Sequence, residues 1–190
     1  MTIATLSEAA RRSRGVSQTL LAERSGHQAA NISAIESGRR VPRVDTLDRL
    51  LRTSGARLLI SPTLRASALE ASAEIRDALR RDDAAQAFRN WLAFNDGLAA
   101  ETPTNRVVLT AFPPPPTGDA LYDAALAALA EYRLDEARAP LPEWVETAAG
   151  LPLARLLTDS RYLTADDLGT VPEPFLRRGV LIDTESLQGA

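Results

Sequence analysis

Residues 16–58 read VSQTLLAERSGHQAANISAIESGRRVPRVDTLDRLLRTSGARL, and this stretch decides the N-terminal fold. Glycines at 26, 38 and 55 cut it into three short helical segments. Ser17 is a good N-cap for a helix beginning at Gln18, because its hydroxyl can take one of the first unsatisfied N–H groups. Leu20, Leu21 and Arg24 cover that helix, and Ala22 is small enough for close packing. Gly26 ends it, since a sharp reversal needs a residue that tolerates positive φ. The next helix spans about 28–37, with Ile32 and Ile35 three apart and facing inward. A further helix spans about 44–53, with Leu47, Leu50 and Leu51 on one face and Asp45 as its cap. Residues 56–60 read as a short extended exit. Upstream, Thr5 and Glu8 form a T-x-x-E pattern that suits a capping box, giving a first helix over about 6–14 that stops at Gly15.

Two short helices joined by a Gly-containing turn cross steeply, so the second can enter a major groove. Its leading residues are Gln28, Ala29, Ala30 and Asn31, followed by Ser33. Asn and Gln can pair bidentately with adenine, and Ala can touch a thymine methyl. Two adjacent alanines keep the exposed face flat. An arginine cluster, Arg39, Arg40 and Arg43, follows this helix. The pattern points to binding of double-stranded operator DNA. His27 sits at the turn, where a phosphate or cap contact suits it better than acid–base work.

On these landmarks, residues 5–60 resemble the Xre/Cro–C1 type of helix-turn-helix domain found in phage repressors and many bacterial regulators and antitoxins. The matching residues are Val16-Ser17-Gln18, Leu21-Ala22-Glu23, Gly26, Ile32-Ser33, Ile35-Glu36-Ser37-Gly38, Pro42 and Thr46-Leu47. The resemblance implies a five-helix, lambda-repressor-like domain. It implies that Gln18 touches a phosphate, that Glu36 pairs with Arg11 on the first helix, and that Arg39, Arg40 and Arg43 contact the DNA backbone. Ala29-Ala30 departs from the family, where larger polar readers are common, and shifts weight towards readout of DNA shape.

Charge is distributed unevenly. The chain is net −3, yet residues 1–65 carry 11 Arg against 5 acidic residues, and residues 66–190 carry 11 Arg against 20 acidic residues. A basic module followed by an acidic one fits phosphate binding at one end. Every basic residue apart from the single His is Arg, which with the abundant Ala suggests a GC-rich coding bias. There is no Cys, hence no disulfide, which suits a reducing cytoplasm. No apolar run approaches membrane-spanning length and no signal-peptide pattern opens the chain. The expectation is a cytoplasmic protein with no membrane association.

The rest divides at the prolines into a helical connector or dimerisation segment over 66–112 and an acidic helical domain over 113–190. Leu69, Ala73, Ile75 and Leu79, then Phe88, Trp91, Leu92 and Phe94, supply apolar faces over 66–99. The aromatic trio reads as core and Asp82-Asp83 as a solvated cap rather than a metal site. Pro113 to Pro116 cannot be helical and serve as a stiff boundary or a brace. Asp119 caps a helix over about 120–133, whose buried stripe is Leu121, Tyr122, Ala125, Leu126 and Leu129. Trp144 anchors a turn leading into another helix. Arg177-Arg178-Gly179 turns into a short strand, and Asp183 caps a last turn.

Three C-terminal segments resemble, more loosely, the tails of actinobacterial Xre-like proteins: Pro116-Thr117-Gly118-Asp119, Pro142-Glu143-Trp144-Val145, and Phe175 to Asp183. That resemblance implies an antitoxin partnered with a nucleotidyltransferase-like toxin through the C-terminal region.

Catalysis has little support. One His and no Cys cannot build the usual zinc site, and no nucleophile elbow, phosphate loop or dinucleotide fingerprint occurs. No cofactor or metal is expected. The expectation is a mainly α protein that is a DNA-binding transcriptional regulator, a homodimeric repressor reading two half-sites about one helical turn apart. The alternative is a protein-interaction adaptor whose helix-turn-helix has lost DNA binding. Ala29-Ala30 keeps that alternative open, and the arginine cluster argues against it.

Overall fold

The computed structural model describes residues 3–157, 170–182 and 184–188, and the chain forms two compact units, Met1–Pro62 and Thr63–Ala190. It is mainly helical.

The first unit contains α1 (Ile3–Arg12), α2 (Gln18–Ser25), α3 (Ala29–Glu36) and α4 (Val44–Thr53). Ser17 caps α2, its Oγ accepting from the Leu20 N–H at 3.1 Å. Gly26 follows in the left-handed region, φ 71°, and sends its N–H back to the Ala22 carbonyl. That reversal lets α2 and α3 pack on each other and on their neighbours, α1 against α3 and α4, α2 against α3 and α4. Val16, Leu21, Ala22, Ile32, Ile35 and Leu50 form the shared core.

Three details differ from the sequence reading. Helix α1 begins at Ile3, so Thr5 and Glu8 lie inside it instead of forming a capping box at its start. Burial of Ala9, Ala10 and Arg11 draws this segment into the fold, so packing rather than the local pattern sets its start. Arg43, not Asp45, occupies the N-cap position of α4; Asp45 lies in the first turn, where its Oδ1 accepts from the Thr46 N–H. Residues 56–60 take no regular secondary structure. Four described helices make up this unit, and the fifth helix in chain order belongs to the second unit.

The second unit opens with α5 (Ala68–Leu79) and α6 (Ala84–Ala99). A capping box starts α5: the Ser67 hydroxyl accepts from the Glu70 N–H, and the Glu70 carboxylate accepts from the Ser67 N–H. Asp82 takes a positive φ of 58° and Asp83 caps α6, accepting from the Gln86 N–H at 2.8 Å. Helix α7 (Pro103–Thr110), within the segment expected to be helical, starts at a Thr102 cap with proline in its first turn.

Helix α8 (Ala120–Glu136), capped by Asp119, is the centre of the unit. The sequence suggested one buried stripe, but nearly every residue from Leu121 to Leu134 is buried. A helix apolar all round belongs inside, and its alanines allow several neighbours to approach at once. Helices α5, α6 and α7 pack against it, as do the short helices α9 (Glu143–Glu146) and α10 (Glu173–Leu176). The apolar faces of the 66–112 segment share one core with α8. Trp91 and Phe94 are fully buried, and Trp91 is stacked on the partly buried Phe88 at 6.1 Å and edge-on to Phe175 at 6.0 Å, so the aromatic trio is part of the core. Pro115 braces the unit by accepting a hydrogen bond from the buried Ser72 hydroxyl.

Strands β1 (Arg155–Leu156) and β2 (Val180–Leu181) pair in parallel, Arg155 beside Val180. Gly179, φ 69°, makes the turn into β2. The tail is clamped by charge: Glu131 on α8 accepts from both Arg177 and Arg178 at 2.5 Å, and Arg178 also donates to the Val145 and Pro174 carbonyls. A 3₁₀ turn, Thr184–Leu187, follows; the expected cap, Asp183, lies outside the described residues.

Candidate nucleic-acid interface

Helix α3 is held from within. Ile32 and Ile35 are buried, so the opposite side of the helix faces outward. Gln28, Ala29 and Ala30 are exposed at its start, and Asn31 and Ser33 are half-buried. Ser33 lies three and four positions beyond the two alanines, so it shares their face. Gln28 sits at the N-cap without a side-chain capping bond. The first N–H groups of α3 therefore stay open to an anion at the positive end of the helix dipole.

The chain then turns through Gly38, φ 74°, and the Arg40 N–H bonds the Ala34 carbonyl at 3.0 Å. Arg39, Arg40 and Arg43 are all exposed. Arg39 Nε donates to the Ser37 hydroxyl at 2.9 Å. Arg43 approaches Asp45 at 3.6 Å, but the two side chains are 88% and 68% exposed, so water screens the pair and leaves the arginine charge available.

One contact changes the expected chemistry of Asn31. Arg40 Nη1 donates to Asn31 Oδ1 at 2.9 Å. Bidentate pairing with adenine needs Oδ1 as acceptor and Nδ2 as donor. With Oδ1 engaged, Asn31 presents an amide donor beside a guanidinium. Reading adenine through both groups requires Arg40 to swing away, for example towards a phosphate. Nothing in a nine-residue separation signalled this contact.

At the inner side of α3, Arg11 and Glu36 form a bidentate pair, Nε to Oε1 at 2.7 Å and Nη2 to Oε2 at 2.8 Å. This hydrogen bonding to Glu36 raises the Arg11 pKa above its usual value. Arg11 also donates to the Val16 carbonyl at 2.6 Å. Gln18 joins the cluster, its Nε2 donating to Glu36 Oε2 at 2.8 Å. One amide hydrogen of Gln18 is thus committed inward. His27 Nδ1 lies 3.0 Å from the Ser25 carbonyl. A carbonyl only accepts, so Nδ1 carries the proton and the ring serves the turn between α2 and α3.

The structure gathers Arg11, Gln18 and Glu36 into one cluster and Asn31 with Arg40 into another. The sequence reading passed over Val41 and Val44, which flank Pro42 and are exposed among the arginines. Ordinary patterning would have buried them.

Among the described residues no group of three His, Asp or Glu side chains is placed to hold a metal ion, and no helix is long and apolar enough to cross a membrane. A family model described as helix-turn-helix matches residues 8–55. No curated protein and no solved structure matches the chain. Over those residues the chain is similar to helix-turn-helix domains.

Proposed function

From the helix-turn-helix domain at residues 8–55, we propose that this chain is a sequence-specific DNA-binding transcriptional regulator, a repressor that occupies operator DNA as a homodimer. The observation that supports this best is the layout of α3. Its uncapped start and flat Ala29-Ala30 face suit close approach to a groove, and three exposed arginines follow its other end. In the complex, α3 lies in the major groove, Gln28 to Asn31 and Ser33 face base edges, and Gln18, His27, Arg39, Arg40 and Arg43 face phosphates. Much of the specificity then comes from DNA shape, since alanine reads few base edges.

The acidic second unit is the partner-binding part in this reading. The three C-terminal segments that resemble actinobacterial Xre-like tails favour an autoregulating antitoxin, with a toxin as that partner. A second reading, an adaptor without DNA binding, draws on the engagement of Asn31 by Arg40. A gel-shift assay on the DNA upstream of the chain's own gene separates the two. The regulator reading expects a sequence-specific shift that is lost when Arg39, Arg40 and Arg43 become Ala. Failure to shift that DNA at low salt, with an empty outcome from selection over random DNA, would refute the regulator reading and make the adaptor reading the leading one.

A further inference from the structure

Of the three arginines that follow α3, one is held by a side chain of α3 itself. Arg39 Nε donates to the Ser37 hydroxyl and Arg43 lies near Asp45, whereas Arg40 Nη1 donates to Asn31 Oδ1 at 2.9 Å. The Arg40 backbone is fixed by its own N–H bond to the Ala34 carbonyl at 3.0 Å, so the side chain alone has to move to open the contact. Arg40 is exposed and Asn31 half-buried. Water competes for an exposed bond of this kind, so opening it costs little.

What replaces Arg40 on Oδ1 depends on the base that Asn31 meets. Adenine presents N7 as an acceptor and its N6 amino group as a donor, while guanine presents N7 and O6, both acceptors. On adenine, an N6–H takes the place of the Arg40 N–H at Oδ1 while Asn31 Nδ2 donates to N7. A guanidinium left there would set its own N–H groups against another donor. On guanine nothing replaces Arg40: an Oδ1 stripped of that bond faces the O6 acceptor and is desolvated without a partner, which is costly. Once displaced, Arg40 finds its strongest partner in the DNA backbone, because a guanidinium–phosphate contact is charge-assisted.

We propose that Arg40 is a specificity-determining residue of the DNA-binding surface: it stays on Asn31 over guanine and is displaced to a phosphate by adenine. One base in each half-site thereby decides whether one phosphate contact is made. The inference rests on the DNA-binding reading and adds that base and backbone recognition are a single event at this pair.

The test uses the full chain and duplex DNA recovered by selection from a random pool. Asn31→Ala first marks the position whose base preference depends on Asn31. Adenine and guanine are then exchanged at that position in one half-site, and binding of the labelled duplex is followed by fluorescence anisotropy across salt. Each phosphate contact adds about 0.9 to the slope of log K against log salt. The ratio of adenine to guanine affinity should therefore grow about 3.5-fold between roughly 200 and 50 mM salt. Arg40→Ala and Asn31→Ala should each make that ratio independent of salt, the first by removing the phosphate contact and the second by removing the residue that holds Arg40 back. A parent ratio that does not change with salt would overturn the coupling and leave the regulator reading standing. So would a ratio that still changes in both variants, one that shrinks as salt falls, or a selected site in which no position responds to Asn31→Ala. Failure to recover any DNA at low salt would overturn the regulator reading and the coupling with it.

Discussion

Replacing Glu36 with Ala should strongly destabilise the first unit while sparing the other. Glu36 is held on three sides, by Arg11 Nε at 2.7 Å, Arg11 Nη2 at 2.8 Å and Gln18 Nε2 at 2.8 Å. The Arg11 and Glu36 side chains are 10% and 3% exposed, so little water replaces a lost partner. Removing one member of such a pair leaves an uncompensated buried charge and costs about 3–5 kcal/mol. The low end applies here, because Arg11 keeps its bond to the Val16 carbonyl. A unit of ~60 residues has roughly 3–9 kcal/mol of stability in all, so a loss of ~3 kcal/mol is a large share. Both tryptophans, Trp91 and Trp144, lie in the second unit. Urea unfolding followed by tryptophan fluorescence therefore reports that unit, and far-ultraviolet circular dichroism reports both. The variant should lose the dichroism change of the first unit at low urea and keep the fluorescence midpoint. Arg11→Met with Glu36→Leu should recover much of the loss, since an apolar pair leaves no buried charge. A Glu36→Ala dichroism curve within 1 kcal/mol of the parent would refute the argument, as would an equal shift in fluorescence.

Three other outcomes follow from the geometry. Gly150→Ala would put a Cβ at 3.1 Å from the Arg178 Cα and 3.3 Å from its carbonyl oxygen; this backbone contact should cost about 1–3 kcal/mol, read in the fluorescence-detected unfolding of the second unit. If Arg39, Arg40 and Arg43 each meet a phosphate, each Ala substitution should lower the slope of log K against log salt by about 0.9, measured by fluorescence anisotropy of labelled operator DNA. Hydrogen bonds from Thr63 and Asn105 hold the Glu101 carboxyl below the usual carboxylate range. Its stabilisation is full above the unfolded-state value and is lost as pH falls through the folded-state value, so Glu101→Gln should flatten the acid side of the second unit's stability profile.

What the sequence revealed and what it hid divide along a physical line. Ser17, Gly26, Gly38 and Gly55 are local signals: a hydroxyl caps its own helix, and a left-handed residue needs no distant partner. Thr5 and Glu8 carry the same kind of pattern yet sit mid-helix, because a four-residue motif competes with packing and lost here. The Arg11–Glu36 pair came from the family resemblance rather than from any spacing rule. Gln18 joining it, and Arg40 capturing Asn31, depend on how three elements meet, which no periodicity encodes. In the second unit, alanine conceals the role of α8. Ala124, Ala127, Ala128 and Ala130 suit a surface or a core equally well, so the leucine stripe showed one buried face where the fold buries nearly all. Charged residues carry no such signal either: Glu131, Arg133 and Arg178 are buried, the first and last in the clamp on the tail.

The Gln18–Glu36–Arg11 cluster ties the candidate DNA contact to the stability of the unit itself. Gln18 starts α2, Glu36 ends α3 and Arg11 lies on α1, so one carboxylate fixes the relative placement of three helices. A phosphate that takes the remaining amide hydrogen of Gln18 would hold that amide in the orientation it already needs for Glu36. The contact costs little reorganisation, because the side chain has lost its rotamer freedom before DNA arrives. Arg40 is the opposite case. It is exposed, it donates to the side chain best suited to reading adenine, and it must leave that partner for a base to be read through both groups. On the proposed DNA-binding reading, the same surface would combine a rigid phosphate anchor with a reader released only on engagement. That pairing would favour DNA whose backbone geometry draws Arg40 outward, and would let an α3 with two alanines discriminate between sequences.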